Sequence, residues 1–295
     1  MSRFPSAKRQ RGFTLIELLI ALGIFLVITG AAFTLLSTSQ QRYQTESQVL
    51  TSFQEARLGL DQMVRDINDA GYPPPTFFSS FSPQMSASSP FGWSQSAGYP
   101  NAPCQIGTAG GGTCTTSTAG DSAPGDFDIL IETNPNPNAQ DPSNVGVQWI
   151  RYQLQGTILM RGMAPKASGT DPDAAFVGQY AVAPFVQNVI NNSPNLQAGI
   201  DAGGNPIPLS TQYPAVFPGG GPVPIFSYLC DNPPVPQSPP PPTTPCRTGG
   251  TSNSPANIRD VMITLIVMAP LPDATTGRPR LVQLEGRGRR VNPNQ

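Results

Sequence analysis

Apolar positions run almost unbroken from Phe13 to Leu36. At about 1.5 Å per residue, these roughly 24 residues make about 36 Å of helix, enough to cross a bilayer. One carboxylate, Glu17, sits near the start of the run. Past Leu36 the pattern changes. No proline occurs up to Ala70, and Gln, Glu, Arg, Leu and Ala favour helix. Val49, Phe53, Ala56, Leu60, Met63, Ile67 and Ala70 recur in alternating steps of four and three, which draws one apolar stripe on one helical face. Ala56 and Ala70 narrow the stripe, so it predicts packing against this chain's own sheet rather than a coiled-coil seam. Arg57, Asp61 and Arg65 are spaced by four and predict pairing along another face. Gly71 offers a C-terminal cap and Pro73–Pro75 stop the helix. A continuous helix from Phe13 to Ala70 would be roughly 87 Å long.

The chain then turns irregular up to about Asp126, with Phe77, Phe78, Phe81, Phe91 and Trp93 scattered among Ser, Pro, Gly and Thr. These aromatics are expected to cover a globular head. Strand patterns follow. Phe127–Thr133 is a short β-rich run. Val145–Leu154 alternates, Gly156 marks a turn, and Thr157–Met160 returns as a hairpin. Phe185–Ile190 and Ile225–Leu229 are further short strands. Val261–Met268, VMITLIVM, is the strongest and should be central in its sheet. Leu281–Leu284 is expected to be a last strand. Asn232–Pro245 is about half proline and predicts an extended polyproline II loop. The fold class is therefore α+β: one long N-terminal helix packed on an antiparallel β-sheet head with long loops.

Composition narrows the chemistry. The chain has 17 basic and 18 acidic residues and a net charge of −1. The segment Met1–Gly12 holds Arg3, Lys8, Arg9 and Arg11 and no acid, so the positive-inside rule keeps this end cytoplasmic and exports the rest. Without those four charges the balance is 13 against 18, or −5, which argues against nucleic acid as the main partner. The absence of histidine removes Ser-His-Asp and Cys-His catalysis and every His metal site. Four cysteines allow three pairings. Export to an oxidising compartment favours disulfides, and the local pairs Cys104–Cys114 and Cys230–Cys246 each close a short loop. The spacing is not that of a zinc site. Asp121, Asp126 and Asp128, or Asp171 and Asp173, are weak calcium candidates that turn-forming aspartates explain as well. Arg278, Arg280, Arg287, Arg289 and Arg290 make a basic C-terminal region, read as a solvated tail, with DNA or an acidic subunit as its other reading.

Gly12-Phe13-Thr14-Leu15-Ile16-Glu17, with Leu18 and Leu19, resembles the N-terminus of type IV pilins and of the pseudopilins of type II secretion. The resemblance covers about a tenth of the chain. It implies that a prepilin peptidase cuts after Gly12, that Phe13 becomes the N-methylated N-terminus, and that Glu17 pairs with the amine of a neighbouring subunit. A lone acid in such a run costs about 2.5–3.5 kcal/mol at mid-helix and less near an end, so a use for it is expected. An ordinary signal anchor or secretory signal peptide is the bland alternative. The run is longer than a usual signal core, and an anchor gives Glu17 no role. A second stretch, Met63 to Tyr72 with its Arg65-Asp66 pair and Ala70-Gly71-Tyr72 turn, resembles minor pilins of the PilW type. So does the hairpin with Tyr152 on one strand and Arg161 after the other.

The expected organisation is a leader at 1–12, a transmembrane or filament-core helix at 13–36, an amphipathic helix half at 37–72, an irregular region at 73–126 and a β-rich head at 127–295 with a Pro-rich loop at 231–245. The expected function is that of a minor pilin, a filament subunit with no catalysis, no cofactor and no metal of its own. A J-type pseudopilin and a non-polymerising membrane-anchored binding protein are the alternatives. The resemblance implies prepilin peptidase, other major and minor pilins, the inner-membrane assembly platform and membrane lipid as partners. It places the chain in a bacterial inner membrane as a single pass, then in a pilus at the cell surface.

Overall fold

The computed structural model describes residues 12–74, 87–93, 106, 124–135, 146–167, 171–231, 243–246, 254–273 and 276–290. The chain divides into two compact units, Met1–Ser47 and Gln48–Gln295. Helix α1, Leu15–Asn68, spans 54 residues and runs through the division. It is two residues shorter at each end than the sequence predicts. Thr14 takes the cap position at one end. At the other, Gly71 has φ 85° and donates its N–H to the Glu132 carbonyl at 2.7 Å, which ends the helix on a strand.

In the first unit every described residue up to Gln44 is exposed, including Leu15, Ile16, Phe25 and Phe33. By length and composition this part of α1 can cross a membrane. Its threonines are adapted to apolar surroundings. Thr29, Thr34 and Thr38 donate their hydroxyls to the carbonyls of Phe25, Gly30 and Thr34 at 2.7, 2.9 and 2.9 Å, so no hydroxyl needs water.

In the second unit the stripe is the core-facing side of α1. Ala56, Leu60, Met63, Ile67 and Ala70 are buried, while Val49 and Phe53 are half-buried. They face two antiparallel sheets. The first has the order β1-β2-β3-β4-β5: Phe91–Gly92, Asp128–Thr133, Gln148–Gln155, Ile158–Pro165 and Ala183–Val186. Gly156, with φ 60°, makes the tight turn between β3 and β4. The returning strand is longer than the sequence predicts and contains Arg161, whose Cα pairs with that of Tyr152.

The remaining strands in chain order are β6 (Gln197–Ile200), β7 (Pro206–Pro208), β8 (Phe226–Asp231), β9 (Thr243–Pro245), β10 (Ile258–Pro272) and β11 (Pro279–Arg289). The second sheet has the order β11-β10-β8-β9, and the VMITLIVM segment lies on its interior strand β10. Residues 243–245 are thus a strand hydrogen-bonded to β8, not polyproline II, because the ladder of β8 supplies partners that a free proline-rich loop lacks. Residues 232–242 lie outside the described residues.

Two features join the layers that sequence periodicity does not reveal. Asn191, fully buried, donates to the carbonyls of Val223 and Thr264 at 3.2 and 2.8 Å and accepts from the N–H of Ile266 at 2.8 Å. A side chain there stands in for a missing strand. The second feature is the glycine pair of β11. A Cβ on Gly286 would lie 2.7 Å from Leu60, and one on Gly288 would lie 2.5 Å from Ile67. Helix α1 therefore rests on bare backbone. A smaller cluster of Ile190, Ala198, Leu209, Phe217 and Ile266 forms under β6, β7 and the short helix α3 (Leu209–Gln212).

Gly288→Ala should push α1 off the sheet and cost about 1–3 kcal/mol. Gly199→Ala, where a Cβ meets nothing within 4 Å, should stay within about 0.5 kcal/mol of wild type. Unfolding of the detergent-solubilised chain followed by circular dichroism compares the two.

Candidate functional site

Two groups of residues carry the chemistry, one in each unit. In the first, Thr14 and Glu17 form a reciprocal cap on α1. The Glu17 carboxylate accepts the Thr14 backbone N–H at 2.9 Å and its hydroxyl at 3.0 Å, and the Glu17 N–H points at the Thr14 hydroxyl at 3.4 Å. This is a capping box. Its sequence signal is a threonine three residues ahead of a glutamate just before an apolar run. It gives Glu17 a local role that the sequence reading denied to a plain anchor. Phe13 beside it is 88% exposed, and a Cβ built on Gly12 meets nothing within 4 Å. Among the described residues nothing packs against position 12 closely enough to require glycine there.

In the second unit, buried ion networks fasten elements together. Asp66 on α1 accepts from the Tyr152 hydroxyl at 2.5 Å and from Arg161 at 2.9 Å, and Arg161 also donates to the Tyr152 oxygen at 2.9 Å. Gln62, one turn earlier, donates to the other Asp66 oxygen at 2.7 Å. Asp66, Tyr152 and Arg161, far apart in sequence, thus meet as one clamp between helix and hairpin. Burial, with the Asp66 charge beside it, pushes the Tyr152 hydroxyl well above its ordinary range. Burial opposes the charge of Arg161, but Tyr152 and Asp66 outweigh it and raise the guanidinium.

Glu132, fully buried on β2, holds Lys166 at 3.1 Å, the Trp149 indole N–H at 3.0 Å and the Ser88 N–H at 2.8 Å. Burial pushes its carboxyl up despite these donors. Arg151 on β3 joins Asp128 and, at 2.7 Å, Asp173. Asp171 caps the short helix α2 (Pro172–Ala175) by accepting the Asp173 N–H. The calcium candidates Asp128, Asp171 and Asp173 are therefore engaged by an arginine or a cap. Among the described residues no group of three or more His, Cys, Asp or Glu is placed to hold a metal. Asp121 lies outside them.

The basic C-terminal region is not a solvated tail. Arg287 and Arg289 lie on β11 and reach the buried carboxylate of Asp260 at 2.7 and 3.7 Å. Arg290 is fully buried and faces Asp231 at 3.5 Å, with Arg259 on the same aspartate at 2.5 Å. Burial pushes Arg290 down to about 10, opposed by Asp231 and reinforced by Arg259. The physical reason is the strand itself. Its alternation turns Gly286 and Gly288 toward α1 and Arg287 and Arg289 toward the other face. The spaced charges Arg57, Asp61 and Arg65 form no ion pair with one another among the described residues. Their exposure leaves water as the competing partner. Cys230 on β8 and Cys246 are joined by a disulfide, with Cα atoms 5.0 Å apart. Cys104 and Cys114 lie outside the described residues.

A family model described as the prokaryotic N-terminal methylation motif matches residues 7–33. No curated protein and no solved structure matches the chain. The match spans the cap, the basic flank and most of the exposed apolar helix.

Tyr152→Phe should cost about 1.5–3 kcal/mol at pH 8, since it removes a hydrogen bond to a buried charge. The raised hydroxyl sets the sign with pH. Its contribution is full below the unfolded value near 10 and fades as pH rises beyond it. Urea unfolding of wild type and variant should therefore differ at pH 8 and converge above pH 10. A gap that does not change with pH would place the tyrosine outside the clamp.

With its exposed apolar helix and the matching motif, the chain carries a type IV pilin-like N-terminal methylation segment that fits a membrane-anchored, exported protein.

Proposed function

We propose that this chain is a minor pilin: a subunit inserted in the bacterial inner membrane, cut after Gly12 by prepilin peptidase, methylated at Phe13 and assembled with other major and minor pilins through the assembly platform into a type IV pilus. The observation that carries this reading is the conjunction at the N-terminus. A glycine that the chain's own packing does not require stands before an exposed phenylalanine and a capped glutamate, at the head of an exposed apolar helix. A glycine without an internal use points to an external one, and a peptidase site that admits no side chain supplies it. Cleavage would also create the positive amine that a carboxylate at membrane depth calls for.

The buried ion networks of the head fasten helix to strand and strand to strand, which suits a role in polymerisation and contact. The capping box favours one second reading, a membrane-anchored exported protein that never polymerises. There Glu17 would only start the helix. A J-type pseudopilin shares the processing step and differs in the machinery that it joins.

Intact-mass spectrometry of the protein from its host should show loss of the first twelve residues and one added methyl group on Phe13. Gly12→Ala should slow the cut, because the folded chain tolerates the methyl group while the peptidase site does not. A mature surface-exposed form that still begins at Met1 would remove the pilin-type assignment.

A further inference from the structure

Among the described residues β11 is the longest strand at a sheet edge, with 11 residues bonded on one side only, to β10. Bonds at its C-terminal end fix the direction of its main-chain groups. Arg290 donates its N–H to the Arg259 carbonyl on β10 at 3.1 Å, while Arg289 donates its N–H the other way, to the Asn68 side chain of α1 at 2.8 Å. In an antiparallel ladder this direction alternates from residue to residue. Gly288, Gly286, Leu284 and Val282 therefore bond β10, in register with Val261, Ile263, Leu265 and Val267. Leu281, Gln283, Glu285 and Arg287 turn their N–H and carbonyl groups outward. None of these outward groups meets a hydrogen-bond partner among the described residues. The carbonyl of Pro279 points the same way and accepts the Tyr213 hydroxyl. The edge is thus closed at Pro279 and at Arg289 and open between them.

The other sheet edges are built differently. β1, β5, β6, β7 and β9 have four residues or fewer. Of these, β5 carries Pro184, β7 carries Pro206 and Pro208, and β9 carries Pro245. Short strands and prolines keep an edge from pairing. Between Leu281 and Arg287 β11 uses neither device. Its two charges there are opposite in sign and are drawn along the sheet. Glu285 accepts from Gln283 at 3.0 Å, and Arg287 donates to Asp260 at 2.7 Å.

We propose that the outer edge of β11 takes up an extended strand from a different protein chain, which continues the second sheet through main-chain hydrogen bonds. A second copy has only its own β11 to offer. Helix α1 runs along β11, from Leu60 at Gly286 to Ile67 at Gly288. Antiparallel pairing of two β11 strands would therefore set two α1 helices antiparallel, whereas copies inserted in one membrane through α1 run the same way. That exclusion rests on the membrane-anchored reading of α1. Cross-strand pairing sets the side chains of the partner. A base opposite Glu285 and an acid opposite Arg287 complete two opposite-charge pairs. The residue between them lies beside Leu60 and Val64 of α1 and is small and apolar. Antiparallel to β11, the partner strand reads acidic, apolar, basic.

The probe is a synthetic peptide with aspartate, valine and lysine in that order inside a threonine-rich run. It is added to the full chain in detergent and followed by residue-resolved amide hydrogen exchange. In the free chain Gln283, Glu285 and Arg287 should exchange fast and Leu284 and Gly286 slowly, since only the latter belong to the ladder. The peptide should slow the outward set about ten-fold or more. Gln283→Pro removes one outward N–H and no ladder bond, and should weaken binding about ten-fold. Gln283→Ala keeps that N–H and should bind as wild type. Glu285→Lys should weaken binding about three-fold, and a peptide with glutamate in place of lysine should restore it. The alanine and lysine variants replace exposed side chains and should keep the wild-type unfolding curve. Equal binding by the proline and alanine variants, protection at other strands, or no protection at millimolar peptide would overturn the proposal. So would slow outward amides in the free chain that speed up on dilution, which would make a second copy the occupant. Failed peptide binding leaves the processing of the N-terminus, and with it the pilin reading, untouched. A mature form that begins at Met1 would remove that reading and leave peptide binding to β11 as it is.

Discussion

The close approach of α1 to the backbone of β11 is the constraint on which the head depends. Leu60 and Ile67 occupy the space that side chains on Gly286 and Gly288 would fill. That proximity brings Asp66, next to Ile67 on the helix, within reach of Tyr152 and Arg161. It also lets Asn68 accept the Arg289 N–H at 2.8 Å. Apolar contact and buried charge are thus set by one spacing. A buried carboxylate with a lone partner would be a liability, whereas Asp66 has a phenol, a guanidinium and an amide around it.

The same glycines explain the C-terminal arginines. On a strand, every second side chain faces the same way. Once Gly286 and Gly288 are committed to the helix, Arg287 and Arg289 must face the other side, where Asp260 lies. A run that reads as a loose basic tail is thereby a strand whose two faces do different work.

How much of this was legible from sequence follows from the physics of each part. The apolar stripe of α1 was legible because a helix of that length repeats its pattern many times. The strand at Val261–Met268 was legible because it is long and β-branched. The Tyr152–Arg161 pairing was half visible, as a likeness without a contact, because only strand register places the two opposite each other. Asn191 and the buried fate of Arg290 were not legible, since a polar residue looks the same whether it bonds a neighbouring strand or water. The cap was missed for a different reason. Thr14 and Glu17 carry a known helix-start spacing, but the resemblance to pilins had already supplied Glu17 with a use.

That double use makes Glu17 the decisive residue. A glutamine at position 17 retains the hydrogen bonds of the capping box and removes only the charge. The informative measurement is the amount of Glu17→Gln protein in sheared filament fractions, with the membrane pool as control. If Glu17 neutralises the amine of a neighbouring subunit, the variant should insert normally and be depleted from filaments at least about ten-fold, since an uncompensated buried charge costs about 3–5 kcal/mol. Incorporation equal to wild type would mean that the carboxylate only caps its own helix, and the assembly role would be contradicted.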